Sequence, residues 1–220
     1  MTNYTSVVFD LDGTLVDSSE DITAALNEAI RPVGGRELRA AEVVGLLGEG
    51  SLRLVEGALA QSTAGMPGAV GELKQVHARY AAEYRARPAE LSTVYPGVRE
   101  ALAALDQAGI AMGVCTNKSQ VMAEIVLEEL GITRYFRGIV GNDAVPSSKP
   151  DPAHVIACFE ALGESPATGL YVGDSVIDEA AATGADVDFL AVGWAPVEVK
   201  GLRLDSYFDL PGLVLEPSRI

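Results

Sequence analysis

The sequence predicts an α/β protein: a parallel sheet with helices on both faces, interrupted near its start by an inserted helical segment. Three observations carry this. Apolar runs of strand length recur through the later part of the chain, and a helical pattern separates each from the next. Those helical patterns stop at glycines, the residue that most readily ends a helix. Residues 17–90 break the alternation, showing helical spacing and no convincing strand.

Strands are expected at residues 7–9, 111–115, 138–140, 170–172 and 189–192, where short apolar runs end at polar or glycine positions. Helices are expected at 98–108, 120–130, 153–162 and 177–183, closed by Gly109, Gly131, Gly163 and Gly184. Strand and helix in turn require right-handed crossovers between parallel neighbours. Ligands of such sheets bind at the carboxyl ends of the strands. Within the insert, residues 22–30, 41–47, 52–60 and 69–84 have helical spacing or composition. Pro32-Val33-Gly34-Gly35 and Gly65-Met66-Pro67-Gly68 punctuate it, and Pro88 and Tyr95-Pro96-Gly97 mark its return. The expected division is a core of residues 1–16 and 91–220 and a helical domain of residues 17–90.

The chain has 220 residues, enough for a full α/β core and a smaller second unit. It has no apolar run of about 18 residues, the length a membrane helix needs, and no basic segment leading into an apolar one at its start. The expected location is cytoplasmic. Cys115 and Cys158 lie in a predicted strand and a predicted helix, with no metal-ligand spacing, and are expected as buried thiols. A formal charge of −15 repels nucleic acid and anionic membrane, so neither is an expected partner. Residues 17–89 carry eight basic and ten acidic side chains, so nearly all the excess charge lies outside the insert. A near-neutral insert suits an anionic substrate, although ordinary surface variation accounts for it as well.

The most informative stretch is Asp10-Leu11-Asp12-Gly13-Thr14-Leu15-Val16, directly after Val7-Val8-Phe9. Strand alternation puts Asp10 and Asp12 on one side of the chain. Two carboxylates so placed repel unless a cation, a proton or a shared task offsets the cost. Three later pieces also fall at or after expected strand ends: Gly113-Val114-Cys115-Thr116-Asn117, Lys149-Pro150-Asp151-Pro152 and Leu170-Tyr171-Val172-Gly173-Asp174-Ser175-Val176-Ile177-Asp178. In this order and spacing the four resemble the signatures of the haloacid dehalogenase-like hydrolase superfamily, over essentially the whole chain. Asp-Leu-Asp-Gly-Thr-Leu-Val-Asp-Ser resembles its phosphoglycolate phosphatase-like branch.

The resemblance implies a Rossmann-like core with a C1-type helical cap, and a Mg²⁺-dependent phosphatase acting on a small-molecule phosphate ester. It implies Asp10 as the nucleophile that forms an aspartyl-phosphate and Asp12 as the acid–base. Thr116 would offer a hydroxyl to a phosphoryl oxygen, and Lys149 a cation to the phosphoryl group and the nucleophile. Asp10, Asp174 and the Asp12 main-chain carbonyl would bind the metal, a hard cation with a preference for oxygen. Asp178, Asn117 and Gly173 would support the site. From the cap, Gly48, Glu49, Gly50 and Arg53 are candidates for the substrate. Arg53 also reads as a plain surface arginine. Lys118 is either a solvated helix-start residue or part of the site edge. No catalytic role is assigned to His77, His154 or Trp194, and Trp194 reads as a packing residue. The assembly is expected to be a monomer or homodimer. The alternatives are a β-phosphoglucomutase-like sugar phosphomutase, a pyrophosphatase on the same fold, and a non-catalytic small-molecule-binding relative. Asp12 together with Asp174 argues against a dehalogenase.

Overall fold

The computed structural model describes residues 4–64, 73–196 and 198–216. In chain order the strands and α-helices are β1 (Ser6–Phe9), β2 (Val16–Asp17), α1 (Ser19–Ile30), α2 (Ala40–Val43), α3 (Ser51–Ser62), α4 (Leu73–Ala86), β3 (Thr93–Val94), α5 (Val98–Gln107), β4 (Ala111–Cys115), α6 (Gln120–Glu129), β5 (Gly138–Val140), α7 (Pro152–Leu162), β6 (Gly169–Gly173), α8 (Val176–Gly184), β7 (Asp188–Val192), β8 (Leu202–Leu204) and α9 (Leu210–Leu215). Contacts divide the chain into one unit of Met1–Val16 and Val94–Ile220 and another of Asp17–Thr93. Val16–Asp17 and Thr93–Val94, where the chain passes between them, pair as a two-stranded sheet. Among the described residues no helix is long and apolar enough to cross a membrane.

The first unit is built on a six-stranded sheet in the order β5-β4-β1-β6-β7-β8, parallel throughout. Period-two alternation sorts its side chains. Val7 and Phe9 of β1, Met112 and Val114 of β4, and Leu170 and Val172 of β6 share one core with residues of α5, α6 and α9. Val8, Cys115 and Tyr171 face the opposite core, against Val155, Cys158 and Phe159 of α7 and Ala181 and Ala182 of α8. With both faces covered, the central strands are buried along their whole length.

The helix boundaries follow local chemistry. The Asp151 side chain accepts the Ala153 N–H at 2.9 Å and Pro152 occupies the first turn of α7, where its missing N–H costs nothing. That helix ends at Gly163 in the left-handed conformation, φ 71°. Ser175 and Asp178 cap α8 reciprocally.

Each strand expected in the core forms, as do the four helices between them. The edge strand β8 is added: its Leu202-Arg203-Leu204 is too short to register as an apolar run. Helix α9 and the short strands β2 and β3 also escape the sequence patterns.

In the second unit α1 begins at Ser19, earlier than the apolar pattern suggests, because the Asp17 carboxylate accepts the Ser19 N–H and hydroxyl at 3.2 and 2.7 Å. The expected helix at 41–47 is split into α2 and a 3₁₀ turn at Val44–Leu46. The Gly65–Gly68 turn and the first residues of the expected 69–84 helix lie outside the described residues.

Buried Asp21 anchors the end of this unit. Its carboxylate accepts the N–H groups of Leu91, at 3.0 Å, and Ser92, at 2.7 Å, and the Ser92 hydroxyl at 2.5 Å. Replacing it leaves these donors without their acceptor, so Asp21→Ala should lower stability by about 2–4 kcal/mol. Thermal and denaturant unfolding measure this; a change under about 0.5 kcal/mol, ordinary for a surface site, would contradict it.

Candidate active site

Four neighbouring strands, β5, β4, β1 and β6, bring the site together at their carboxyl ends. Asp10 follows β1, with its N–H on the Val172 carbonyl at 2.9 Å. Thr116 follows β4, with its N–H on the Val140 carbonyl at 3.1 Å. Asp174 follows β6, and Lys149 lies between β5 and α7. Their proximity follows from the parallel register, which ends these strands at one level.

The Lys149 ammonium is the hub. Its Nζ donates to Asp10 Oδ1 at 2.8 Å, Asp178 Oδ1 at 2.6 Å and the Tyr171 hydroxyl at 2.9 Å. These three bonds use all of its donors. Lys149 is 4% exposed, Asp10 5% and Asp178 1%. Burial works against the ammonium, but the charges of Asp10 and Asp178 outweigh it and hold Lys149 above its ordinary value. The Lys149 backbone is clamped as well. Its carbonyl accepts the Asn117 side-chain amide at 2.9 Å, and its N–H donates to His154 Nδ1 at 3.2 Å. His154 Nε2 in turn lies 3.1 Å from the Val140 carbonyl, so the ring is neutral with its proton on Nε2.

Asp178 is fully engaged. Oδ1 faces Lys149 and Tyr171, while Oδ2 accepts the Ser175 N–H at 3.1 Å and hydroxyl at 2.6 Å. A side chain on Gly173 would run into Asp178, with a Cβ only 2.6 Å from the Asp178 Cβ, so glycine is required for β6 to meet the start of α8. Asp174 accepts the Thr14 hydroxyl on Oδ1 at 2.9 Å.

Carboxylate oxygens of Asp10, Asp174 and Asp178 lie within 4.8 Å of one another. Among the described residues, the single ammonium of Lys149 stands against these three acids. Burial, with the charges of the neighbouring acids, pushes Asp10 up to about 7, against the pull of Lys149. Burial first, then the charges of Asp178 and Asp10, pushes Asp174 up well beyond the carboxylate range. An all-oxygen cluster with excess buried negative charge fits a hard cation. Because Asp178 is already saturated by this chain's own donors, Asp10 and Asp174 are the carboxylates left to hold one.

Asp12 stands apart from that cluster: its Oδ2 pairs with Lys118 Nζ at 3.1 Å. The Lys118 side chain is only 8% exposed, which corrects its reading as a solvated helix-start residue. The Thr116 hydroxyl accepts the Lys118 N–H at 3.2 Å. Thus Asp10, Asp12, Thr116, Asn117, Lys118, Lys149, Gly173, Asp174 and Asp178 all belong to these strand ends. Gly48, Glu49, Gly50 and Arg53 belong to the second unit. There Gly48 and Gly50 have positive φ, Gly50 caps α3, and exposed Arg53 pairs with Glu56 at 2.6 Å.

The sequence reading gave no role to Thr14, Tyr171 and Ser175, and it weighed His154 and Trp194 without assigning either a catalytic one. Ser175-x-x-Asp178 was legible as a capping box. Tyr171 reads as one more strand apolar, and His154 carries no pattern that reveals its partners.

Residues 7–192 match the family described as haloacid dehalogenase-like hydrolase. The chain belongs to this family. A phosphoglycolate phosphatase of Agrobacterium fabrum is 36% identical over 210 residues, covering 96% of this chain and 84% of the relative. Another, of Cereibacter sphaeroides, is 41% identical over 189 residues, covering 83% of this chain and 82% of the relative. A crystal structure from Haemophilus somnus, described as a predicted phosphoglycolate phosphatase, superposes with a TM-score of 0.90 at 27% identity, over 97% of this chain and 99% of that one. This haloacid dehalogenase-like hydrolase therefore sits on the phosphoglycolate phosphatase-like branch. β-Phosphoglucomutase of Clostridium difficile, at 21% identity and a TM-score of 0.77 over 94% of this chain and 93% of that one, shares the fold.

Neutral, buried His154 makes a prediction. Burial lowers its pKa from 6.5 to about 4. Between those values the unfolded chain takes up a proton that the folded one refuses, so this part of the stability is present above pH 6.5 and is lost as pH falls toward 4. The stability difference between wild type and His154→Gln should shrink over that window, measured by denaturation at pH 7, 5.5 and 4. A constant difference would show that His154 is protonated in the fold.

Proposed function

We propose that this hydrolase is a Mg²⁺-dependent phosphatase that cleaves a small-molecule phosphate monoester through an aspartyl-phosphate. The observation that carries the reading is the convergence of Asp10, Lys149 and Asp174 in one buried, over-negative cluster at adjacent strand ends.

Asp10 is the nucleophile. Its Oδ1 is engaged by Lys149, so Oδ2 is the attacking atom. A bond forms from Oδ2 to phosphorus as the ester P–O bond breaks, and the departing oxygen takes the proton of Asp12. Asp12 then accepts a proton from water. The water oxygen attacks the aspartyl-phosphate, releasing inorganic phosphate and restoring Asp10. Lys149, its donors committed to Asp10, Asp178 and Tyr171, aims the nucleophile and favours its ionised form against the effect of burial. Thr116 accepts from the Lys118 N–H, which orients its own proton toward a phosphoryl oxygen. Magnesium, held by Asp10, Asp174 and the Asp12 carbonyl, would supply the positive charge that lets a carboxylate approach a phosphate dianion.

In this reading residues 1–16 and 91–220 form the catalytic core. Residues 17–90 correspond to the helical cap, and Gly48, Glu49, Gly50 and Arg53 are what it would contribute to ester selection. The relatives' names point to phosphoglycolate as the first ester to assay. The net charge of −15 supports a small phosphate ester as partner, with no nucleic acid and no membrane. The buried free thiols of Cys115 and Cys158 suit the reducing cytoplasm, with the protein a monomer or homodimer.

Asp10→Asn should lower turnover of an aryl phosphate by roughly a thousand-fold or more with an unchanged circular dichroism spectrum. Residual hydrolysis well above the metal-free control would remove Asp10 from the nucleophile role. Asp174→Ala should lose activity and the response to added Mg²⁺ together; an active, metal-indifferent variant would remove the metal assignment. Turnover without any sugar bisphosphate separates hydrolysis from a mutase reaction.

A further inference from the structure

Three consecutive carbonyls of the loop after Asp10 and Asp12 each accept a hydrogen bond from a distant segment. The Trp194 indole N–H donates to the Gly13 carbonyl at 2.7 Å. The buried Tyr207 hydroxyl donates to the Thr14 carbonyl at 3.1 Å. The Tyr95 backbone N–H donates to the Leu15 carbonyl at 3.1 Å. The three rings also pack together: Trp194 stacks on Tyr95 with centroids 4.3 Å apart, and Tyr207 lies 6.1 Å from Trp194.

The segment that carries Trp194 is itself pinned. Arg203 donates to the carbonyls of Ala195 at 2.6 Å, Pro196 at 2.8 Å and Val199 at 3.1 Å. The Gly193 N–H donates to the Leu204 carbonyl at 2.7 Å.

The same loop touches Asp174. Gly13 has φ +84°, and a Cβ added there would lie 2.5 Å from Asp174 Oδ2, so its backbone is pressed against that carboxylate. Its neighbour Thr14 donates to Asp174 Oδ1. Gly13 and Thr14 thus bond the aromatic residues through their carbonyls and meet Asp174 through the Gly13 backbone and the Thr14 hydroxyl. Simple core filling does not explain Trp194, which remains 42% exposed while its one polar hydrogen goes to the loop. The ring packs on Tyr95, as expected of a packing residue, and its N–H adds a bond to the loop.

We infer that Trp194 is a positioning residue for the reaction: its indole N–H on the Gly13 carbonyl, backed by Tyr207 on Thr14, holds the Asp12–Thr14 loop and Asp174 in the geometry that the chemistry and the metal require. Trp194 touches no reacting atom and acts through Gly13. The inference rests on the proposed roles of Asp10, Asp12 and Asp174.

Trp194→Phe keeps a ring on Tyr95 and removes only the N–H. It should lower kcat on an aryl phosphate about tenfold, with KM within about twofold and the thermal midpoint within about 2 °C of wild type. Tyr207→Phe should shift kcat in the same direction. Trp194 is also the sole tryptophan of the chain, so its emission reports its own contact. Titrating Mg²⁺ into the metal-free, substrate-free protein should shift that emission saturably in wild type and leave it flat in Asp174→Asn. An unchanged kcat in Trp194→Phe, a loss of kcat matched by a loss of thermal midpoint, or a flat wild-type emission would each overturn the inference. A wild type with no turnover on any ester would instead overturn the phosphatase reading, and the emission titration would still test the link between Trp194 and Asp174.

Discussion

One buried ammonium group governs this molecule. Lys149 Nζ, flanked by Asp10 and Asp178 and by the Tyr171 hydroxyl, is among the described residues the only positive charge paired with the clustered carboxylates. A buried charge is costly without partners, and breaking such a pair is far worse than never making it. Much of the surrounding architecture therefore keeps that contact intact. His154 and Asn117 fix the Lys149 backbone, Ser175 fixes Asp178, and the glycine at 173 allows β6 and α8 to approach closely enough for Asp178 to reach the lysine.

This balance also separates two acids of the same type. Asp178 has every oxygen satisfied by protein donors, which makes it a structural counter-charge. Asp10 and Asp174 lack that saturation, and burial drives both toward protonation. A site in this condition fits a hard cation. Asp12, two residues from Asp10, is held in a different environment by Lys118. Two carboxylates in one motif are thereby given different surroundings, one paired with Lys149 and the other with Lys118.

Much of this was legible without coordinates. The apolar runs and their glycine stops located the core strands of the site and the helices between them, because burial on both sheet faces leaves a strong signal in composition. Asp10, Asp12, Thr116 and Asp174 stood out as polar residues at or just after the ends of such runs, and Lys149 by its Lys-Pro context before a helix start, within motifs that resemble those of the family. Tyr171 did not. Its ring is apolar enough for a strand, and only its hydroxyl, meeting Lys149 across the sheet, has a role. Lys118 stood between a solvated helix start and the site edge because nothing local says that Asp12 turns toward it. Strand β8 stayed hidden because its only strand partner is β7, and three residues give no period to count.

The sequence by itself determined the alternating architecture and, through its resemblance to the family, which acids and which lysine make up the motifs. Those depend on short-range periodicity and on residue chemistry, both written along the chain. Only the tertiary structure decided which acid the lysine neutralises, which acids remain for a cation, and that Trp194 holds the Gly13 carbonyl 181 positions away. Such pairings are set by where parallel strands end in space and by the exclusion of water between them. Neither leaves a local trace, so distant segments acquire their roles only when the sheet closes around them.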